Sequence, residues 1–292
     1  MPLNHLIDTF NEVFVHEHHF SFRPFVPNND RVSGLFGPLR IDSCFSPIRK
    51  ANNPTEVSGH EAIIEVAVNN NRFLHENEIM ELVSNNDTYQ NNLESIISFD
   101  RLARTVHILN YLTLLPAYRL LFLEVDPRHI LGVRADHGAY FQEFITKAGL
   151  ETANVVMVLT VYDQYANYYK ELLVGLENYR RHGYQIALKF EKFPRNIPLY
   201  DLLSKSFPDY VSLTARTLDF NAGNFIDETL KEFTAFAESI NSQTLLQQID
   251  HKKHHLLAQN SGFDLVEGGF YRSILHEYKS NQAVNNPRFL TN

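Results

Sequence analysis

From residue 119 onward, short apolar runs alternate with longer stretches in which apolar residues recur at helical spacing. The short runs are typical of buried strands, and the longer stretches are typical of amphipathic helices. The predicted strands are 120–125, 155–161, 184–190, 210–213, 245–249 and 263–267, and the predicted helices between them are 138–148, 164–182, 198–206, 226–240 and 251–260. Gly149 and Gly183 follow two of these helices, where glycine commonly ends a helix. This alternation predicts a mostly parallel sheet of the α/β class.

Two more predicted strands, 44–48 and 57–66, come earlier and are separated by the turn signal Asn52-Asn53-Pro54-Thr55. The connection is too short for a crossover helix, so these two strands are expected to be antiparallel. Further helices are predicted at 72–83 and 93–113. About eight strands, mostly separated by helices, favour a closed (β/α)8 barrel over an open sheet in a chain of this length.

The first 42 residues precede this pattern and are predicted to be an extension that packs on the barrel. Residues 3–14 have the periodicity of an amphipathic helix, and its apolar face must cover something. The helix is expected either to cap the base of the barrel or to bind a partner. Residues 20–42 are predicted to be irregular with at most one short strand. The barrel itself is predicted to span 43–279, followed by a flexible tail over 280–292.

The composition excludes several classes of protein. A formal net charge of −8 argues against binding nucleic acid through a broad basic face. Cys44 is the single cysteine, which excludes an intramolecular disulfide and suits a reducing cytoplasm. We expect Cys44 to be a small buried residue, because a nucleophilic cysteine needs a placed histidine. No apolar run is long enough to span a bilayer, and no signal peptide is recognisable, so no membrane association is expected.

Two histidine-rich stretches leave more than one interpretation open. They are His16-Glu17-His18-His19 and His251-Lys252-Lys253-His254-His255. His251 and His255 are four residues apart on a predicted helix and could bind a metal together. No acid or cysteine is spaced with them, so a solvated loop and a solvated basic helix face are favoured instead. The basic face could also dock an acidic partner.

Seven short motifs, most of them at the predicted strands, follow one another along the chain in a characteristic order. They are Phe45-Ser46-Pro47-Ile48, Gly59-His60-Glu61-Ala62-Ile63, Leu121-Phe122-Leu123-Glu124-Val125-Asp126-Pro127, Asp136-His137-Gly138, Tyr179-Arg180-Arg181-His182-Gly183-Tyr184-Gln185-Ile186-Ala187-Leu188, Phe207-Pro208-Asp209-Tyr210-Val211-Ser212-Leu213 and Gly262-Phe263-Asp264-Leu265-Val266-Glu267-Gly268. This series resembles the EAL family, the bacterial cyclic di-GMP phosphodiesterases, over roughly residues 43–272. The resemblance implies a barrel whose first strand is antiparallel to the rest. It also implies hydrolysis assisted by two divalent cations, which carboxylates and an asparagine hold at the strand ends.

The family's site can be followed through the first strands of the resemblance. Glu61 keeps the acid of the signature motif, here Glu-Ala-Ile instead of Glu-Ala-Leu. Glu65 stands where the family has an arginine that contacts a ligand phosphate, so the charge is reversed. Glu124 stands in place of a metal-binding asparagine and could still ligate a cation. Val158 and Val161 stand in place of two glutamates, and neither can bind a metal.

The later strands depart further from the family. Lys189 and Phe190 replace the paired aspartates at the core of the two-metal site. The other replacements are Ser212 for a catalytic lysine, Thr214 for an aspartate, Gln247 and Asp250 for two glutamates, and Glu267 for a glutamine. An ammonium group at a metal centre would repel a divalent cation by on the order of several kcal/mol. We therefore predict no phosphodiesterase activity, no bound metal and no cofactor.

These positions define a candidate vestigial ligand site. Its members are Glu61, Glu65, Glu124, Lys189, Ser212, Gln247 and Glu267. We expect Lys189 to stand in for the lost cation by pairing with Glu61 and Glu124. The family resemblance then leaves two functions open. One is a non-catalytic regulator in bacterial signalling that acts by binding another protein, whose identity the sequence does not give. The alternative is a receptor that binds cyclic di-GMP without metal.

Charge favours the regulator over the receptor. Glu65 and Glu267 place negative charge near the expected ligand phosphates, whereas Arg134, Lys192 and Arg195 are cations with no fixed place at the site.

An aromatic stripe bears on the oligomeric state. Its members are Tyr162, Tyr165, Tyr168 and Tyr169, which share much of one face of a predicted helix. Aromatic rings with polar tips suit an interface. Because EAL domains often dimerise through nearby elements, the resemblance implies a homodimer.

Overall fold

The computed structural model describes residues 3–17, 21–68, 72–74, 78–79, 89–113, 119–133, 136–191, 199–218 and 226–272. The chain divides into two compact units. Unit 1 consists of residues 1–45 and 60–187, and unit 2 consists of residues 46–59 and 188–292. The predicted tail over 280–292 lies outside the described residues, and the predicted domain boundaries stay a prediction.

The regular structure of the described residues includes eight α-helices and eleven β-strands. In chain order they are α1 (Leu3–Glu17), β1 (Phe25–Asn28), β2 (Arg31–Phe36), β3 (Leu39–Lys50), β4 (Val57–Val68), β5 (Arg72–Phe73), α2 (Tyr89–Tyr111), β6 (Leu120–Glu124), α3 (Pro127–Gly132), α4 (His137–Ala148), β7 (Val155–Thr160), α5 (Tyr169–Arg181), β8 (Gln185–Phe190), α6 (Leu199–Ser206), β9 (Tyr210–Thr214), α7 (Ile226–Ser239), β10 (Gln243–Gln247), α8 (Lys252–Asn260) and β11 (Leu265–Val266). Most strands from β6 onward are followed by a helix, as the alternation predicts. None of the described helices has the length and apolar character needed to cross a bilayer.

The strands are hydrogen-bonded in the order β1-β2-β3-β11-β10-β9-β8-β7-β6-β4-β5, and β3 also pairs with β4. The eight strands from β3 to β4 in this order therefore close into a barrel, which confirms the predicted (β/α)8 class. Parallel pairing joins β6 to β7, β9 to β10, and β10 to β11. β3 is antiparallel to β11, with Leu265 opposite Lys50 and Val266 opposite Arg49. The antiparallel first strand is thereby confirmed.

Backbone and side-chain hydrogen bonds close the short turn after β3. The amide of Lys50 donates to the carbonyl of Glu56 (3.1 Å), and the amide of Glu56 donates to the carbonyl of Asn53 (2.9 Å). The Arg49 guanidinium donates to the carbonyl of Pro54 (3.0 Å). These bonds satisfy the turn without a helix, as its length requires.

The prediction of irregular chain over 20–42 is wrong. Antiparallel pairing joins β1 to β2, and β2 to the start of β3, with Gly34 opposite both Phe25 and Ile41. Asn29 (φ 54°) and Gly37 (φ 56°) adopt left-handed conformations in the two connecting turns. The asparagine and glycine residues that suggest loop therefore belong to tight hairpins, which need positive φ angles.

The predicted helix over 72–83 is also wrong at its start. Arg72 and Phe73 form β5, which pairs antiparallel with Val68 and Ala67 of β4. Residues 75–77 and 80–83 lie outside the described residues. The spacing of apolar residues cannot separate a short strand from the first turn of a helix.

The N-terminal helix α1 buries its apolar face within unit 1. Leu6, Ile7, Phe10 and Phe14 belong to one hydrophobic cluster that also contains residues of β2, β3, β4 and α2. The ring of Phe10 stacks on that of Phe144, with centroids 4.6 Å apart. The amphipathic helix is thus covered by its own chain, which is what its pattern requires.

Element ends follow the predicted signals with small shifts. Gly149 (φ 84°) and Gly183 (φ 85°) end α4 and α5 in the left-handed conformation, as predicted. The predicted strand over 245–249 lies at Gln243–Gln247 instead. It ends there because Gln248 has a φ of 56° and leaves the extended region.

Candidate functional site

The carboxylates of β4 lie on the face of the strand that points away from the core of unit 1. Ile64 and Val68 pack against the hydrophobic cluster, and Val66 belongs to it. Because successive side chains on a strand alternate in direction, Glu61 and Glu65 point to the opposite face. Glu61 is half-buried and Glu65 is exposed. The structure therefore brings these two predicted residues to one face.

At the end of β6, Glu124 lies beside an apolar neighbour. It is in register with Val158 of β7, so the two side chains share a face of the sheet. The Glu124 carboxylate accepts a hydrogen bond from the Thr160 hydroxyl, 2.5 Å away. Of Glu124, Val158 and Thr160, only Glu124 is an acid. Its hydrogen-bond partner Thr160 is neutral.

The carboxyl ends of β9 and β10 present neutral polar side chains. Ser212 is in register with Leu245, and Thr214 is in register with Gln247, so Ser212, Thr214 and Gln247 share one face. All three are buried. The carbonyl oxygen of the Gln247 side chain has no hydrogen-bond partner among the described residues. A buried acceptor in that state is uncommon in folded proteins.

Glu267, directly after β11, shares that face and is held by unit 2. Its carboxylate accepts hydrogen bonds from the Ser46 hydroxyl and from the backbone amide of Gln248, the latter at 3.1 Å. The next residue, Gly268, has a φ of 152°, and a Cβ atom there would lie 2.2 Å from the carbonyl oxygen of Ile249. Only glycine fits this close approach of the Gly268 backbone to the Ile249 backbone. The approach fixes the course of the backbone directly after Glu267.

The lysine predicted to replace the cation lies near the end of β8. Lys189 is half-buried, whereas Phe190 is 1% exposed, and the two side chains point to opposite faces of the strand. The predicted pairing of Lys189 with Glu61 and Glu124 stays a prediction. The three candidate cations Arg134, Lys192 and Arg195 lie outside the described residues.

Asp250, after β10, is paired with a cation. Its carboxylate accepts a hydrogen bond from Nε of Arg216 at 2.9 Å, and Arg216 is largely exposed. Among the residues that the structure describes, no three histidine, cysteine, aspartate or glutamate side chains are grouped so as to hold a metal ion.

The histidine-rich stretches have ordinary partners. His16 lies 3.4 Å from Glu12 on the exposed side of α1, and His18 and His19 lie outside the described residues. At the start of α8, Nδ1 of His255 lies 3.1 Å from the hydroxyl of Tyr271. Burial, and then the charge of Lys252, lowers the pKa of His255. One nitrogen of His255 is therefore engaged within the chain.

The tyrosine stripe begins at Tyr162, the N-cap of a 3₁₀-helix (Asp163–Tyr168), and runs through that helix to the first residue of α5. Three residues per turn align Tyr162, Tyr165 and Tyr168 along one edge. The rings of Tyr162 and Tyr165 are 6.4 Å apart, and the hydroxyl of Tyr169 donates to the carbonyl of Tyr162 (3.2 Å). Tyr168 is exposed and the others are half-buried. The homodimer stays a prediction.

Unit 1 contains a buried charged network that no sequence pattern indicates. Asp100 and Arg104 of α2 form an ion pair, and Nδ1 of His129 lies 2.8 Å from the Asp100 carboxylate. Arg104 also donates to the hydroxyl of Tyr179 (3.2 Å). Asp100 accepts the backbone amide of Asp126 (3.1 Å), two residues after Glu124. The network thus links α2 to the end of β6.

Burial and the charges of neighbouring groups act against each other in this network. Burial by itself would raise the pKa of Asp100, but Arg104 and then His129 outweigh it and hold that pKa at about 2. Burial lowers the pKa of His129, and the charge of Asp100 opposes this shift only in part. An aspartate and an arginine four residues apart on a helix look like a surface pair in sequence. Only their burial distinguishes them.

Comparison with known proteins supports the fold. No protein-family model matches the chain, and no curated protein matches it. The solved structures that this chain resembles include EAL-domain proteins. YkuI of Bacillus subtilis, solved with cyclic di-GMP and calcium, has a TM-score of 0.62 and 16% identity, with 84% of this chain covered. BlrP1 of Klebsiella pneumoniae, in complex with manganese and cyclic di-GMP, has a TM-score of 0.64 and 16% identity over 84% of this chain.

The EAL domain of FimX from Pseudomonas aeruginosa, bound to cyclic di-GMP, has a TM-score of 0.64 and 12% identity. Its match covers 79% of this chain and 88% of the FimX domain. The chain spans 62% of YkuI and 57% of BlrP1. At these identities the likeness extends to the fold.

Proposed function

We propose that this protein is a non-catalytic relative of the EAL phosphodiesterases that acts in cyclic di-GMP signalling by binding another protein. The observation that carries the proposal is the neutral pair Thr214 and Gln247. They lie in register at the ends of adjacent strands, on the face that also carries Glu267. The resemblance places acidic residues of the catalytic machinery at both positions. A hydroxyl and an amide there supply neither the charge nor the proton transfer that hydrolysis needs.

The divalent cations that accompany cyclic di-GMP in YkuI and BlrP1 would find few matching ligands among the strand-end residues that the structure describes. Two hard cations need several oxygen ligands, most of them carboxylates. In unit 2 the strand ends offer Thr214, Gln247 and a Glu267 carboxylate that already accepts two hydrogen bonds. In unit 1, Glu124 lies beside Val158. This donor set supports the proposal that the protein does not carry out metal-assisted hydrolysis.

The charge on β4 also supports the proposal. Glu65 is exposed and stands where the resemblance places a phosphate-binding arginine. A carboxylate repels a phosphodiester, and the repulsion is largest where water is partly excluded. Cyclic di-GMP carries two phosphodiester groups. The residue at this position therefore disfavours the family's ligand.

One observation favours the alternative function, a metal-independent receptor for cyclic di-GMP. The buried carbonyl oxygen of Gln247 has no partner among the described residues, and a guanine base offers N–H donors that could satisfy it. FimX shows that an EAL domain can be crystallised with cyclic di-GMP bound. The receptor function is therefore kept as the second candidate.

Calorimetry and a hydrolysis assay separate these functions. Purified protein is titrated with cyclic di-GMP, once with magnesium or calcium and once with a chelator, and the hydrolysis product is measured in parallel. The MucR phosphodiesterase, whose structure with cyclic di-GMP has a TM-score of 0.62 to this chain, is the positive control. We expect no hydrolysis and no binding heat in either buffer. The Lys189→Asp variant alone should not restore activity, because the other replacements remain.

Each other outcome has a distinct meaning. Saturable binding in chelator would replace the regulator with the receptor. Metal-dependent binding with hydrolysis would overturn both non-catalytic functions and the alignment of Lys189 with the lost aspartates.

A further inference from the structure

Helices α6 and α7 of unit 2 present aromatic rings to solvent. Tyr200 is 42% exposed and Phe207, directly after α6, is 62% exposed. The ring of Tyr200 packs edge-on against Phe236 of α7, with centroids 4.5 Å apart. Phe236 is half-buried. We call Tyr200, Phe207 and Phe236 the aromatic surface.

The pattern of α6 explains why these rings point outward. The helix buries Leu199, Leu202 and Leu203 on its inner side. Tyr200 lies on the outer side of the helix, and Phe207, the first residue after it, is also exposed. The aromatic surface is therefore separate from the core that holds α6 in place.

Phe207 adopts a conformation that favours glycine. Its φ is 43°, and its amide donates to the carbonyl of Leu203 (2.9 Å) in the turn that ends α6. Glycine would make this turn without strain, since it lacks a Cβ atom. The exposed side chain of Phe207 adds apolar area to a surface that a partner could bury.

An acidic stripe continues from the aromatic surface along α7. Glu228, Glu232 and Phe236 follow at intervals of four residues and so lie on one side of the helix. Both glutamates are exposed. Burial, and then the charge of Glu232, raises the pKa of Tyr200, which places Glu232 close to the Tyr200 ring. The remaining charged residues of α7 are Asp227, Lys231 and Glu238, so the helix is acidic as a whole.

We propose that the aromatic surface and the acidic stripe together bind an amphipathic helix of a partner protein whose apolar residues are followed by lysine or arginine. The apolar residues would cover Tyr200, Phe207 and Phe236, and the basic residues would face Glu232 and Glu228. Aromatic anchors with complementary charge beside them are what a helix-binding surface needs. The proposal rests on the regulator function and names the chemistry of its partner.

The test uses two synthetic helical peptides about four turns long, identical in their leucine positions. One carries lysine and the other carries glutamate at the polar positions. Fluorescence anisotropy with the full chain should give binding of the leucine–lysine peptide at least about tenfold tighter than that of the leucine–glutamate peptide. Raising the salt concentration should weaken the binding of the leucine–lysine peptide.

Variants locate the binding to the proposed surface. Phe207→Gly removes the ring and relieves the strained turn, so the variant should fold and bind the lysine peptide about fivefold or more weakly. Glu232→Lys should weaken binding by a similar factor. Phe73→Ser and Glu171→Lys change an exposed phenylalanine and an exposed glutamate of unit 1 and should leave binding unchanged.

Three results would overturn the proposal. They are no binding of the lysine peptide, equal binding of both peptides, or equal losses in the control variants. Sedimentation velocity adds a fourth: a dimer that Phe207→Gly dissociates would assign the surface to a second copy of this chain. None of these results depends on cyclic di-GMP. The peptide test can therefore fail while the nucleotide assays still support the regulator function. Equally, the peptide can bind while the nucleotide assays contradict the regulator function.

Discussion

The hydroxyl of Ser46 donates a hydrogen bond to the carboxylate of Glu267, although the two residues are 221 positions apart in the chain. Both side chains are buried. The bond joins the antiparallel first strand of the barrel to its last parallel strand. The bond gives the Glu267 carboxylate a donor, and a carboxylate is costly to bury without hydrogen-bond partners.

Ser46→Ala should lower the free energy of unfolding by about 1–3 kcal/mol, because it leaves a buried carboxylate with one donor fewer. Urea unfolding followed by circular dichroism measures this. Ser204→Ala, at an exposed position of α6, is the control and should change stability by less than about 0.5 kcal/mol. Equal effects of the two substitutions would mean that water replaces the Ser46 hydroxyl at no cost.

Gln247→Met should raise the free energy of unfolding by about 1 kcal/mol. Methionine fills a similar volume and removes a buried acceptor that has no partner among the described residues. Gln243→Met changes an exposed glutamine at the other end of the same strand and should be nearly neutral. The measurement is the midpoint of urea unfolding for both variants. A loss of stability in Gln247→Met would show that the amide makes a bond that supports the fold.

Arg104→Met should lower the free energy of unfolding by about 3–5 kcal/mol, because Asp100 would keep its charge in the core without its main counter-ion. The control is Lys147→Met, which breaks the exposed pair with Glu143 and should cost less than about 1 kcal/mol. Chemical denaturation of both variants gives the comparison. Similar small losses would place the Asp100–Arg104 pair in contact with water.

His107 should make stability depend on pH. Burial lowers its pKa from 6.5 to about 4, against a smaller opposing effect of Asp100. Below pH 6.5 the unfolded chain binds a proton at this site that the folded chain does not bind until about pH 4. The free energy of unfolding should therefore fall as the pH is lowered through this range, with His107 contributing about 2 kcal/mol between pH 7 and pH 5.

The His107→Gln variant tests this pH dependence. Glutamine can still bond to Ser43, whose hydroxyl lies 2.8 Å from Nδ1 of His107, but it does not titrate. Urea unfolding at pH 7 and pH 5 should show that the free energy of unfolding decreases less in His107→Gln than in the unchanged protein. His5→Gln, at an exposed position of α1, should leave the decrease as it was. Equal decreases in all three proteins would assign the pH dependence to other groups.

The local periodicity of apolar residues predicts most of the strands and helices. The prediction fails where an element is short. β6, β7 and β8 match their predicted positions within a residue because each is a continuous apolar run between clear breaks. The β1–β2 hairpin escapes prediction because its strands are short and partly polar, and its turn residues resemble a loop. For β5, two residues carry too little periodicity to distinguish strand from helix.

The candidate site divides in the same way. The sequence places Thr214 and Gln247 at strand ends, and the parallel register then makes them neighbours. No local pattern could show that Glu267 is held by Ser46, because that contact depends on how the strands close. The ion pair of Asp100 and Arg104 is visible in sequence, whereas its burial is not.

The sequence by itself determined the barrel class, the antiparallel first strand and the polar residues available at the strand ends, since these follow from short-range spacing and side-chain chemistry. The tertiary structure decided which of those residues are buried, which accept hydrogen bonds from distant parts of the chain, and which aromatic rings remain exposed. Burial and hydrogen bonding are properties of neighbours in space. A chain brings such neighbours together only when its elements pack, and that packing leaves Phe207 62% exposed.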